Sequence, residues 1–125
     1  MRPSTDRLIV ISTGSVLYRI PADKLVYVEA EGNYSTVATQ DNRKTFVSLQ
    51  LGQVEDLFFD QLGDNGCNFV RLGRSLIINT DFFFSLDTGK KEIVLSDCHG
   101  YCHTLKASRE VLTKFKTYLE AAYKE

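Results

Sequence analysis

Phe69-Val70-Arg71-Leu72-Gly73-Arg74-Ser75-Leu76-Ile77-Ile78-Asn79 is the stretch on which the fold of this 125-residue chain turns. Two short apolar arms, Phe69-Val70 and Leu76 to Ile78, have the β-branched and large apolar composition of buried strand. Between them lie two arginines in five residues, which cannot be buried without partners, and none is adjacent in sequence. Gly73 beside Arg74 and Ser75 therefore predicts a loop that leaves a sheet, presents a guanidinium to solvent and re-enters. Such a loop suits phosphate or guanine recognition, because the arginine fork donates two hydrogen bonds in parallel. A plain solvated turn between strands fits these eleven residues equally well.

Three blocks extend the pattern. Phe69-x-Arg71-x-x-Arg74-Ser75-x-Ile77-Ile78-Asn79 resembles the signature of the LytTR family of bacterial DNA-binding domains. Upstream, Val26-Tyr27-Val28-Glu29-Ala30-Glu31-Gly32-Asn33-Tyr34-Ser35 is similar to the family's other recurrent block. Leu105-Lys106-Ala107-Ser108-Arg109 lies where the family has a strand entering its last helix. The resemblance runs over roughly residues 7 to 119, and three blocks in the right order are far more specific than one. One departure stands out: where the family usually carries a His before the Arg-Ser pair, this chain has Gly73.

Composition agrees with one soluble domain. Apolar residues at 43% and charged residues at 25% are ordinary for a globular chain able to bury a core. We expect a tail over 1–6, a LytTR-type domain over 7–122 and a short end over 123–125. No apolar run approaches the ~20 residues of a membrane span, and the start lacks a signal-peptide core, so a cytoplasmic protein is expected. Cys67, Cys98 and Cys102 are odd in number, which argues against a disulfide framework. The net charge of −1 counts against nucleic-acid binding only if its distribution is ignored. Thr45 to Val70 has no Lys or Arg but contains Glu55, Asp56, Asp60 and Asp64. Phe69 to Asn79 has two Arg and no acid, and Lys106, Arg109, Lys114 and Lys116 outweigh the acids near them.

Along the chain, turn formers separate short runs of strand character. Thr13-Gly14, Glu31-Gly32-Asn33, Asp41-Asn42-Arg43 and Asp87-Thr88-Gly89-Lys90 predict turns. Phe82-Phe83-Phe84, Glu92 to Ser96 and Tyr101 to Leu105 predict strands. Ser48 is the expected N-cap of a helix through Leu62, and Ser108 that of a helix from Arg109 to about Ala122. The sum is a mostly-β chain of about ten short strands with two helices. Those helices lie about sixty residues apart, which excludes a compact helix-turn-helix. The resemblance implies the same architecture, an elongated stack of small antiparallel β-sheets that binds duplex DNA through loops.

The candidate DNA-binding residues are Asn33, Tyr34, Arg71, Arg74, Ser75, Lys106 and Arg109. Arg74 suits guanine O6 and N7, and Asn33 an adenine edge, while Ser75 and Lys106 suit phosphates. Arg109 sits at a helix start, where the dipole already favours an anion. The resemblance places base contact at about Tyr34, Arg74 and Arg109. Plainer alternatives stand beside these roles: a turn for Asn33, a half-buried strand residue for Tyr34 and a helix-surface charge for Arg109. Two copies on paired DNA repeats are what the family implies, and any phosphorylation input, from a sensor kinase or a receiver partner, has to come from outside residues 7–119.

A rival reading is a metal- or redox-responsive sensor built on Cys98, His99, Cys102 and His103. Its spacing is poor for zinc or haem, and on a regular strand both Cys would share a buried face with both His exposed. A third reading is a protein-interaction module using the acidic helix. No catalytic set, phosphate loop or cofactor motif is found, so no enzyme, cofactor or metal is expected.

Overall fold

The computed structural model describes residues 7–66 and 68–123. The expected tail over 1–6, Cys67 and the last two residues lie outside them. The chain divides into two compact units at the Asp81–Phe82 junction.

In the first unit, β1 (Leu8–Thr13) and β2 (Val16–Pro21) form an antiparallel hairpin around Gly14 and Ser15, with Gly14 at φ +57°. The other strands are β3 (Leu25–Glu31), β4 (Tyr34–Thr39), β5 (Lys44–Val47), β6 (Phe69–Leu72) and β7 (Leu76–Asn79). They form one antiparallel sheet in the order β5-β4-β3-β7-β6. Between β5 and β6 runs α1 (Leu51–Leu62), which lays Leu51, Val54, Phe58 and Leu62 against that sheet and β1. Burying each of these side chains stabilises by about 1.5–3 kcal/mol, well beyond the ~1 kcal/mol lost by having Gly52 in the helix. Phe58 meets the partly buried Phe69, which packs against this core, with ring centroids 4.9 Å apart.

The expected cap is displaced by two residues. Ser48 lies before the helix, and Gln50 is the N-cap. Its backbone N–H donates to Oε1 of Gln53 at 2.8 Å, one half of a reciprocal capping box between the two glutamines. Gly63 ends the helix at φ +55°, so the helix stops at Leu62 as expected.

The second unit holds β8 (Phe83–Asp87), β9 (Glu92–Ser96) and β10 (Cys102–Lys106) in the order β10-β9-β8, followed by α2 (Arg109–Tyr123). Phe82, expected in a strand, belongs to a single 3-10 turn instead. Leu112, Phe115 and Leu119 are the buried stripe of α2, and Phe115 meets Phe83 of β8 edge-on at 5.8 Å. Ser108 caps α2 as expected, its hydroxyl accepting from the Val111 N–H at 3.2 Å. Ten strands in three antiparallel sheets with two helices are thus present among the described residues. No helix among them is long and apolar enough to cross a membrane.

The Cys/His segment departs from its expected alternation. Asp97 Oδ1 accepts the N–H groups of His99, Gly100 and Tyr101 at 2.8, 3.0 and 3.0 Å, which curls the chain and puts Cys98 at φ +61°. The strand therefore begins only at Cys102. Both Cys98 and Cys102 are exposed, whereas His103 is half-buried, the reverse of a buried thiol face.

Candidate nucleic-acid interface

Strand pairing brings four of the seven candidate residues to one end of the five-stranded sheet. β3 runs into the Gly32-Asn33 turn and returns as β4, with Glu31 opposite Tyr34. β7 is antiparallel to β3 and leaves the Gly73-Arg74-Ser75 turn with Leu76 opposite Glu29. Both turns therefore lie at the same sheet end. They are joined through the backbone, where the Ala30 N–H donates to the Ser75 carbonyl at 2.8 Å. Asn33, Tyr34, Arg74 and Ser75 are all exposed.

Within this set the side chains divide by engagement. Arg74 makes no hydrogen bond or ion pair with any described residue, so its full fork is available. Tyr34, at 54% exposure, is not the half-buried strand residue that alternation alone allows. Asn33 Oδ1 accepts from Gln50 Nε2 at 3.3 Å, which ties the turn to the start of α1. Arg71 is differently placed. Its Nη1 pairs with Glu55 Oε1 at 2.7 Å, and its Nε donates to the Gly73 carbonyl at 2.9 Å. Half-buried and held at both ends, it braces the turn.

Gly73 has φ +64°, the left-handed region that L side chains enter at a cost. The residue that departs from the family pattern is thus the one that bends the turn. Gly73→Val should destabilise the protein by about 1–2 kcal/mol and loosen the Arg71 brace. Urea unfolding measures the first effect. A fully retained stability would show that the turn does not depend on this conformation.

Asn79, the last residue of the signature, has no exposure at all. Its Nδ2 donates to the Leu25 carbonyl at 2.9 Å, and its Oδ1 accepts from Asn68 Nδ2 and from the Asp81 N–H, both at 2.9 Å. It locks the far end of β7. Tyr27 is likewise a core residue, its phenol pushed up by burial and then by Glu29 and Glu31.

In the second unit, Lys106 ends β10 opposite Glu92 and pairs with it at 2.9 Å. The β8–β9 turn comes to the same end, and the Ala107 N–H donates to the Lys91 carbonyl at 3.1 Å. Arg109 Nε donates to the Thr88 carbonyl at 3.3 Å, so the guanidinium is partly oriented by that turn. The pairing adds two cations that reasoning from sequence missed as candidates: Lys90 and Lys91, both exposed. Their adjacency was the available signal, but they marked only a turn.

Among the described residues, no group of three His, Cys, Asp or Glu could hold a metal ion.

The LytTr DNA-binding domain family model matches residues 15–120, across both units. Among solved structures, the chain resembles the LytTr DNA-binding domain of a Bacillus cereus protein described as a methyl-accepting/DNA response regulator. That likeness has a TM-score of 0.60 at 19% identity and covers 90% of this chain and 96% of that one. No curated protein sequence matches. The three sequence blocks, the three antiparallel sheets and a family match over most of the chain converge, and the chain belongs to the LytTr family of DNA-binding domains.

Proposed function

We propose that this domain reads duplex DNA sequence-specifically as part of a bacterial transcriptional regulator working in the cytoplasm, with its loops inserted into grooves. Arg74 carries the reading: it is a free guanidinium on a turn whose backbone is pinned at Gly73 and Ser75. In this proposal Arg74 donates to a guanine edge, Asn33 and Tyr34 contact the neighbouring step, and Ser75 meets a phosphate. Arg71 positions the turn through Gly73. Lys106 and Arg109 of the second unit, with Lys90 and Lys91, supply further phosphate contacts. Two copies act on paired repeats, with any phosphorylation signal arriving from a separate sensor kinase or receiver domain.

Selection of bound duplexes from a random pool, followed by titration on the selected and a scrambled duplex, tests this. The selected duplex should bind more tightly, and its affinity should fall with salt at a slope reflecting only a few released counterions. Equal affinity for both duplexes, or an affinity independent of salt, overturns the proposal.

Arg109→Ala should weaken binding to selected and scrambled duplexes more evenly than loss of Arg74, and flatten the salt slope by about one unit. The reason is its place at the first turn of α2, where the helix dipole adds to its charge. The family resemblance pulls the other way, towards base contact. A loss confined to the selected duplex would assign Arg109 to base reading.

A further inference from the structure

The end of the five-stranded sheet opposite the Arg74 turn holds a cleft of about 500 Å3 between the end of β2, Lys24 and the β4–β5 turn. Leu25 pairs with Thr39 there, at the other extreme of β3 and β4 from the Glu31–Tyr34 pair. Its lining includes Ile20 and Pro21 and the three cations Arg19, Lys24 and Arg43. One acid, Asp41, faces these three cations. Its carboxylate is consumed locally, accepting from Thr39 Oγ1 at 2.6 Å, from the Arg43 N–H at 3.1 Å and from Arg43 Nε at 3.4 Å. The Thr39 hydroxyl, then the Arg43 backbone, hold that carboxyl below the ordinary carboxylate range, so it stays ionised and paired with Arg43. Arg19 and Lys24 have no ion-pair partner among the described residues.

The same unit carries a matching surface of opposite sign. Asp56 and Asp60 are one helical turn apart on α1, on the face away from buried Val54, Phe58 and Leu62. Asp64 continues the row in the 3-10 turn that follows. All three are exposed, and none has an ion-pair partner among the described residues. Phe59, at 74% exposure, stands beside them.

We propose that the basic cleft receives the acidic α1 row of a second copy of this chain. The contact is head-to-tail: cleft and row are different patches of one molecule, so in a pair one copy keeps its row free and the other its cleft. This rests on the reading of paired copies on DNA and supplies their contact. Two exposed ion pairs, from Arg19 and Lys24, are weak in solution, so the free protein stays essentially monomeric. Copies held side by side on one duplex gain a cooperativity of about 5- to 30-fold.

The test needs two charge-reversed variants, both outside the proposed DNA-reading loops. In one, Asp56→Lys and Asp60→Lys make row and cleft both basic. In the other, Arg19→Glu and Lys24→Glu make both acidic. Amide chemical shifts of the wild-type protein are followed up to about 1 mM, where a millimolar Kd is readable. Concentration-dependent shifts should appear at the cleft and along α1 and vanish at high salt. Each variant alone should lose them, and an equimolar mixture of the two should restore them, since both complementary contacts are re-formed. Absence of wild-type shifts at the two patches overturns the proposal, as does self-association of either variant alone or failure of the mixture. Shifts of the cleft caused only by added inorganic phosphate also overturn it, assigning the cleft to a small anion. Duplexes with one and two copies of the selected site form the second arm. Both variants should bind the single site as wild type does and lose the cooperative gain on two. If no duplex is selected, the DNA reading fails while the shift experiment still decides the contact.

Discussion

Asn79→Ala should lower the free energy of unfolding by about 3 kcal/mol, the largest loss expected for any single side chain named above. The amide makes three hydrogen bonds of 2.9 Å from a fully buried position. Removing it leaves the Leu25 carbonyl and the Asp81 N–H unsatisfied, at about 1–3 kcal/mol each, and opens a small cavity. Asn79→Asp should do no better, because a carboxylate cannot donate to Leu25 and an unpaired charge is buried. Urea unfolding followed by circular dichroism measures the loss. At a temperature where the variant remains folded, its affinity for the selected duplex should stay within a few-fold of the parent. A stable variant that cannot bind DNA would mean that this asparagine contacts DNA and not the sheet.

Arg74→Ala should have the opposite profile. Stability should be unchanged, since the guanidinium touches no described residue through a hydrogen bond or ion pair. Affinity for the selected duplex should fall by about 1–3 kcal/mol, or roughly 5- to 150-fold, with preference blurred at one or two base pairs. Binding to scrambled DNA should fall much less. Equal losses on both duplexes would remove Arg74 as the base reader and leave it a phosphate contact.

The contrast between these two residues shows how far the sequence could be read. Both stand in one eleven-residue stretch, and both belong to the block that resembles the family signature. Nothing in residue type separates a buried asparagine from one poised at a DNA edge; burial and partners do, and these depend on Leu25 and Asn68 arriving from elsewhere. Strands were legible because apolar runs bounded by Gly, Asn and Asp repeat along the chain. The start of α1 was not, because Ser48 is the better cap by type while Gln50 has Gln53 in reach. The ion pair of Arg71 was not legible, because its partner, Glu55, is sixteen residues away on another element. Lys90 and Lys91 escaped notice because only the β9–β10 register carries their turn to the Lys106 end. In the Cys98 to His103 segment, alternation was assumed one turn too early, since three amides converging on Asp97 delay the strand.

The turn at residues 73–75 separates shape from chemistry. Its course is set by the Gly73 backbone, by the Ser75 carbonyl on the Ala30 amide and by Arg71 on the Gly73 carbonyl. None of these uses the Arg74 side chain. A substitution at 74 therefore changes what the tip presents to solvent without unsettling the sheet that carries it. Mutation can explore that position at almost no thermodynamic penalty. On the proposed reading of Arg74, target sites could diverge through residue 74 while Gly73, Ser75 and Asn79 hold the hairpin, so that recognition and fold are decoupled in the same short stretch.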